Sequence, residues 1–524
     1  MKLRVYILAT KNLLEDFDLR PTMDGETTSR TPEIASPRNK FKYIKNIELI
    51  GFRGFGKSQK IELGIPNGTF GSGLTIIVGP NNSGKSTIIE AFSAISRENA
   101  YAFSEGKRNK NAGDAISIKV TDTSNEIKEL CTIDGGGAWA VWKKNIVVEP
   151  LSKIFVVPSR RYFNPFFGEG EMTRDICSSS KGTRDIYISN QGNPTERPSS
   201  LNGFEHRLLR IQENKNDFEE MLRNILDPPP KWTIDLSDTG SWYLKFSCGD
   251  TTHNSEGLGE GLISLFILVD ALYDSKEGGV IVIDEPELSL HPQLQKKLLI
   301  LMGKCSKTRQ VVIATHSPYF INWESILNGA KITRLVKRIN CDIEVHQMAE
   351  ETVDSIKGFM KDRYNPHVMG LNACEIFFLE DNVVLVEGQE DIIYYNKFID
   401  YLGIPFKGSF YGWGVGGADK MSIIAGLLSD LGFKKVVGIL DGNKADEDKV
   451  HKLKLKLKKK YPMYEFFIIK KDDVRDKSPE KPRKGVDGLA DLNGKIKPEC
   501  EEHVKRLFSK IDSIFSPGST EQEK

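Results

Sequence analysis

Gly79-Pro80-Asn81-Asn82-Ser83-Gly84-Lys85-Ser86-Thr87 decides the fold. The fully apolar run LTIIV at 74–78 precedes it, and an apolar-periodic segment from Ser86 to Ile95 follows. The reading is buried strand, tight loop, helix. The spacing GxxxxGK[ST] suits an anion. Two glycines let the backbone wrap a phosphate with its N–H groups, and a helix starting at Lys85 aims its positive end at the same charge. Lys85 is then placed to meet the β- and γ-phosphates of a nucleoside triphosphate, with ATP the expected ligand, and the Ser86 hydroxyl to ligate Mg²⁺.

Working outward, two further apolar strands end in polar chemistry. Val280-Ile281-Val282-Ile283-Asp284-Glu285 closes on two carboxylates and runs into Pro286-Glu287-Leu288-Ser289-Leu290-His291-Pro292. Asp284 is placed to hold Mg²⁺, and Glu285 to orient or deprotonate an attacking water. Val311-Val312-Ile313-Ala314-Thr315-His316 ends on a histidine at the sheet edge where such folds bind ligands, positioned to sense a γ-phosphate. Together these residues resemble the ABC ATPase superfamily, in the branch of SMC and RecF proteins. The resemblance implies that Ser255, Gly257 and Gly259, in Ser255-Glu256-Gly257-Leu258-Gly259-Glu260-Gly261, form the signature loop. That loop caps ATP held by a second subunit, so the resemblance also implies self-association of two ATPase heads. The family's Q-loop glutamine has no clear counterpart, and Pro158-Ser159-Arg160-Arg161 lies near that region. No long heptad run separates the two halves, which argues against a coiled-coil arm.

A second strand–helix unit begins near residue 380. Val383-Val384-Leu385-Val386-Glu387-Gly388 leads into a helix carrying Asp391, and Val436-Val437-Gly438-Ile439-Leu440-Asp441 ends in another acid. Carboxylates at the ends of neighbouring parallel strands repel unless a cation neutralises them, and oxygen donors suit Mg²⁺ or Mn²⁺. This pattern resembles a TOPRIM domain, and an ABC-type ATPase followed by TOPRIM resembles the OLD family of nucleases, similar to effectors of anti-phage systems such as Gabija and retrons. The resemblance implies Glu387, Asp391 and Asp441 as metal ligands, with Glu387 and Asp441 catalytic. Asn443 stands where the family has the second Asp of Asp-x-Asp; its amide oxygen is expected to ligate metal weakly and without charge, and a reduced or non-cleaving site is the alternative. The acidic run Lys470–Lys477 resembles a late motif in which Asp473 ligates metal, and Lys495 is the basic residue expected to stabilise charge on phosphate.

The whole is expected to be α/β: an ABC/SMC-like P-loop ATPase domain over 41–375, with an insert near 164–226 that could serve dimerisation, and a smaller Rossmann-like TOPRIM domain over 376–524. Residues 1–40, rich in polar and turn-forming types, read as a flexible extension. A helix is expected over Phe204–Leu226, closed by DPPP. The 524 residues carry a net charge of +1, so a DNA partner cannot rest on global charge and must rest on local patches such as the lysine-rich run at 451–460. There, Val450, Leu453 and Leu457 share one helix face and the lysines turn outward. Seven scattered cysteines without a CxxC pair suit a reducing compartment. No apolar run spans a bilayer, and a cytoplasmic chain without membrane contact is expected. The family analogy adds a second defence component as partner, such as a reverse transcriptase with its nucleic acid or a helicase. The rival reading is an ATP-gated DNA-binding or scaffolding protein.

Overall fold

The computed structural model describes residues 41–96, 101–103, 107–109, 112–113, 115–133, 138–143, 154–161, 166–167, 208, 211–212, 215–226, 228–236, 242–248, 250–254, 259–338, 341–360, 375–379, 381–412, 414–442, 447–479 and 485–516. The chain divides into two units, Met1–Phe41 and Lys42–Lys524. The expected extension over 1–40, Ser255, Gly257, Asn443 and most of the 164–226 insert lie outside the described residues.

The central sheet has six strands in the order Ile343–Gln347, Lys331–Lys337, Leu74–Val78, Gln310–Thr315, Val280–Asp284, Ile154–Val157. All pairings are parallel except the first, an antiparallel hairpin at one edge. Parallel strands need crossovers, and helices on both faces explain why these strands read as unbroken apolar runs rather than alternating ones. Leu74–Val78, Val280–Asp284 and Gln310–Thr315 are buried throughout. Successive side chains of each strand enter opposite layers. Ile77, Val282 and Val312 pack with the helix Lys85–Ile95 and an antiparallel six-stranded sheet that includes Ile44–Ile50 and Ser117–Asp122. Ile76, Ile281 and Ile313 pack on the other side against the helices Glu260–Asp274 and Pro292–Cys305. Truncating any of these isoleucines to alanine costs about 2–5 kcal/mol.

The second sheet has four parallel strands in the order Ser409–Phe410, Val383–Leu385, Val436–Leu440, Glu465–Ile468. This doubly wound order puts Val383–Leu385 and Val436–Leu440 side by side at its centre. The period of two recurs: Val384 and Val386 face a layer with the helices Gln389–Leu402 and Pro498–Phe515, whereas Val383 and Leu385 join the apolar cluster that also holds Ile76 and Ile313. The two sheets thus share a core within one unit. Arg334, on the Lys331–Lys337 strand, stitches the junction. Its guanidinium donates to the carbonyls of Leu431 and Leu379, each at 2.9 Å, and lies 4.0 Å over the Phe433 ring. Burial lowers its pKa to about 10, the cost of keeping this cation among apolar groups.

The helix expected over Phe204–Leu226 is described at Leu208, Ile211 and Asn216–Arg223, with the Leu226 N–H closing onto the Leu222 carbonyl, while 204–207, 209–210 and 213–214 lie outside the described residues. One expectation changes. The helix Glu447–Lys460 buries Leu457 and half-buries Val450 and Leu453, and Lys454 and Lys458 on the same helix are only half-exposed. Lys458 is drawn back to Glu465 at 2.5 Å and to the Pro462 carbonyl, so the outward cationic face is Lys449, Lys452, Lys456, Lys459 and Lys460. No helix among the described residues is long and apolar enough to cross a membrane.

Candidate functional site

The loop from Gly79 to Thr87 joins the Leu74–Val78 strand to the helix Lys85–Ile95. Gly79 has φ 157°, and a Cβ there would meet Ser83 Oγ at 2.6 Å and the Leu335 carbonyl at 2.7 Å, so only glycine lets the loop turn this tightly. The loop opens a cleft of about 670 Å³ whose walls include Asn81, Ser86, Glu285, His316 and, from the far side, Arg53 and Lys337. The Lys85 ammonium donates to the carbonyls of Gly79 at 2.8 Å and Pro80 at 3.0 Å. Burial lowers its pKa to about 8, partly offset by the charges of Glu285, Asp284 and Glu287. A buried cation hydrogen-bonded to neutral carbonyls suits an incoming anion. The buried Ser83 hydroxyl, without a hydrogen-bond partner in this loop, fits the same ligand.

The sheet order puts the loop strand beside the His316 strand and that beside the Asp284 strand, so three motifs far apart in sequence meet at one sheet edge. Glu285 has φ 47°, a left-handed conformation that costs a non-glycine residue about 1–3 kcal/mol and is tolerated where the surroundings over-determine it. Its own N–H is tied to the Ala314 carbonyl at 2.8 Å. Its carbonyl accepts from Arg161 at 2.8 Å, and the Asp284 carbonyl accepts from the same guanidinium at 2.8 Å. Glu287 accepts from the His316 N–H at 2.6 Å and the Thr315 hydroxyl at 2.8 Å. Burial raises its pKa, against those hydrogen bonds. Burial and the nearby Lys85 lower the His316 pKa, which favours a neutral imidazole facing the cleft. Gly259 caps the helix Glu260–Asp274 in extended conformation.

At the second sheet, Asp391, Asp441 and Asp473 each offer a carboxylate oxygen, and these atoms lie within 4.8 Å of one another. Asp441 follows the Val436–Leu440 strand. Asp391 sits in the first turn of the helix Gln389–Leu402, where its carboxylate accepts the Gly388 N–H at 2.8 Å. Asp473 opens a short strand, Asp473–Arg475. Glu387 adjoins the triad, with its carboxylate accepting the Asp441 N–H at 2.9 Å. Burial first, then mutual repulsion, raises the pKa values of Asp391 and Asp441, and burial raises that of Glu387. The Tyr395 hydroxyl, one helical turn beyond Asp391, is buried without a hydrogen-bond partner and feels the charges of all four acids. An all-carboxylate donor set with an unsatisfied hydroxyl beside it fits a hard divalent cation.

Among the described residues, the cation paired with the triad is Lys477, 2.5 Å from Asp473 and 3.1 Å from the adjoining Glu390. Lys495 is exposed in a turn where its N–H bonds to Asp491. Tyr395, Lys477 and Arg161 have no motif of their own. Lys477 sits inside the acidic run already singled out, four residues after Asp473, which is the signal that could have found it.

Two family models match parts of the chain: residues 46–227 match one described as "AAA domain", and residues 174–322 match one described as "AAA domain, putative AbiEii toxin, Type IV TA system". The Septu protein PtuA of Bacillus thuringiensis is 23% identical over 392 residues, covering 65% of this chain and 90% of that protein. The chromosome partition protein Smc of Fusobacterium nucleatum subsp. nucleatum is 26% identical over 215 residues, covering 34% of this chain and only 17% of that protein. Among solved structures, an SmcHead bound to the C-winged helix domain of ScpA matches with TM-score 0.38 and 17% identity, over 60% of this chain and 99% of that one. With the loop at 79–87 and its strand–helix context, the two matched models support an ATPase domain that binds ATP.

Proposed function

We propose that the chain is an ATP-regulated, divalent-metal-dependent DNA endonuclease of OLD type that serves as an anti-phage effector. The carrying observation is the meeting of Asp391, Asp441 and Asp473 at one end of a parallel sheet. Divalent ions held there would activate water and clamp the oxygens of a phosphodiester. In this reading Asp391, Asp441 and Asp473 hold the ions, Glu387 acts beside them as ligand or base, and Asn443 offers an uncharged oxygen. Lys477 takes the charge-stabilising role expected of Lys495. The exposed lysines of Glu447–Lys460 track the DNA backbone.

In the ATPase half, Ser86 and Asp284 hold Mg²⁺, Glu285 orients the attacking water and His316 senses the γ-phosphate. Residues 79–87 cradle ATP, and Ser255, Gly257 and Gly259 cap the nucleotide of a second copy. Closure of two heads on ATP would then gate cleavage. The likeness to the Septu protein PtuA supports a defence role alongside the OLD resemblance, and a second defence component is the expected partner.

Plasmid incubated with protein and Mg²⁺ or Mn²⁺ should be nicked, and Glu387→Ala should stop it. The second reading, an ATP-gated DNA-binding scaffold, is favoured by Asn443 in place of an aspartate. DNA binding with no cleavage in any metal or nucleotide state would select it.

A further inference from the structure

We propose that Arg161 is a positioning residue for Glu285, relaying to it the position of the helix Glu260–Asp274; this rests on the ATPase reading of the cleft. Arg161 follows the edge strand Ile154–Val157 and is buried. Its guanidinium fork spans three elements. One terminal nitrogen donates to the Asp284 carbonyl at 2.8 Å and the Pro158 carbonyl at 3.0 Å. The other donates to the Glu285 carbonyl at 2.8 Å. Nε donates to the Ser264 hydroxyl, also at 2.8 Å, in the second turn of the helix.

The geometry has a direction. Glu285 adopts φ 47°, so its backbone is bent where its carboxylate must be aimed, and a small rotation of that peptide swings the side chain. Arg161 grips the carbonyl on that bend. A lysine has one nitrogen and no planar fork, so it cannot reach two successive carbonyls and the serine together. The helix start is coupled to the same turn by a second route: the Ser289 hydroxyl donates to Glu260 at 3.1 Å, and Gly261 packs onto the Ser289 carbonyl so closely that a Cβ would overlap it. Whatever engages the first turn of this helix therefore shifts the Ser264 hydroxyl, the Arg161 fork and the Glu285 peptide as one block. Seated beneath these carbonyls, Arg161 acts through Glu285.

The test compares wild type, Arg161→Lys, Ser264→Ala and the Arg161→Lys/Ser264→Ala double variant. It measures steady-state ATP hydrolysis, affinity for a fluorescent ATP analogue and thermal midpoint. Arg161→Lys should lower kcat by about 30-fold or more with affinity within about threefold, the pattern of a lost transition-state interaction. Ser264→Ala, which leaves the carbonyl grips intact, should lower kcat by about 3–10-fold without moving the thermal midpoint. On the Arg161→Lys background, Ser264→Ala should add nothing, because Ser264 acts through the Arg161 fork. Unchanged kcat in Ser264→Ala, or the same further loss from Ser264→Ala on the Arg161→Lys background as in wild type, would overturn the relay. Should Arg161→Lys fail to fold, Ser264→Ala alone decides. A wild type that binds but never hydrolyses ATP would refute the ATPase reading itself and the relay with it, an outcome separate from an active wild type indifferent to both substitutions.

Discussion

Asp441→Asn should make the metal-free protein more stable while destroying its response to metal. Three carboxylates offer oxygens within 4.8 Å of one another. At an effective dielectric near 20, two full charges at that separation repel by about 3 kcal/mol. Protons taken up by the cluster relieve part of this, which is why Asp391 and Asp441 titrate above their usual range. The sign follows. A carboxylate whose folded pKa is raised costs the fold most once both the folded and the unfolded chain are ionised, above the raised value. Stability is therefore full below the ordinary value of 3.8 and falls as pH rises toward the raised one. The asparagine keeps the volume and removes the charge. Its benefit should be near zero at pH 4 and reach about 2 kcal/mol by pH 8.5, seen as a rise in the thermal midpoint. Added Mn²⁺ at a hundredfold excess over its dissociation constant should stabilise wild type by about 2.7 kcal/mol and the variant by far less. Circular-dichroism melts in EDTA and in MnCl₂, across pH 4–8.5, read both effects. A variant that melts below wild type in EDTA at pH 8.5, or gains as much from Mn²⁺, would refute a repulsive cluster built for cations.

Lys85→Ala should abolish ATP-analogue binding measured by fluorescence titration, because the cation now held by the Gly79 and Pro80 carbonyls is the one that meets the phosphates. Glu285→Gln should retain binding, lose hydrolysis and accumulate an ATP-bound dimer in analytical ultracentrifugation. Arg334→Ala leaves the Leu431 and Leu379 carbonyls unpaired at the junction and should cost about 2–4 kcal/mol, splitting one calorimetric transition into two. Tyr395→Phe removes a hydroxyl without a partner, so the melting point in EDTA should hold or rise, while Mn²⁺ affinity by calorimetry should fall severalfold.

How much of this the sequence discloses depends on how local the chemistry is. The loop at 79–87 is one contiguous turn, so its glycines, lysine and serine are legible in nine residues. Asp284, Glu285 and His316 are legible because a buried parallel strand is an apolar run, and a polar residue at its end stands out. The acids at 391, 441 and 473 follow the same logic, each at the start or end of a regular element. Arg161 belongs to no such run. Its partners lie 103, 123 and 124 residues away, and only the sheet order brings them together. Tyr395 looks like any core aromatic on an amphipathic helix, and its meaning comes from the acids it adjoins. Lys495 sits in a turn closed on Asp491 that carries it to solvent, while Lys477 lies one turn's reach from Asp473, a difference that the composition of the run does not reveal. The continuity of the two cores was equally hidden, because Val383 and Leu385 read the same whether they face a private layer or a shared one.

Cation binding by the acids beside Tyr395 is open to direct measurement. Crystals soaked in MnCl₂ and measured at the manganese edge should show an anomalous peak between Asp391, Asp441 and Asp473, absent from Asp441→Asn crystals. Well-ordered crystals with manganese only at the nucleotide cleft, and none among these three side chains, would contradict the account.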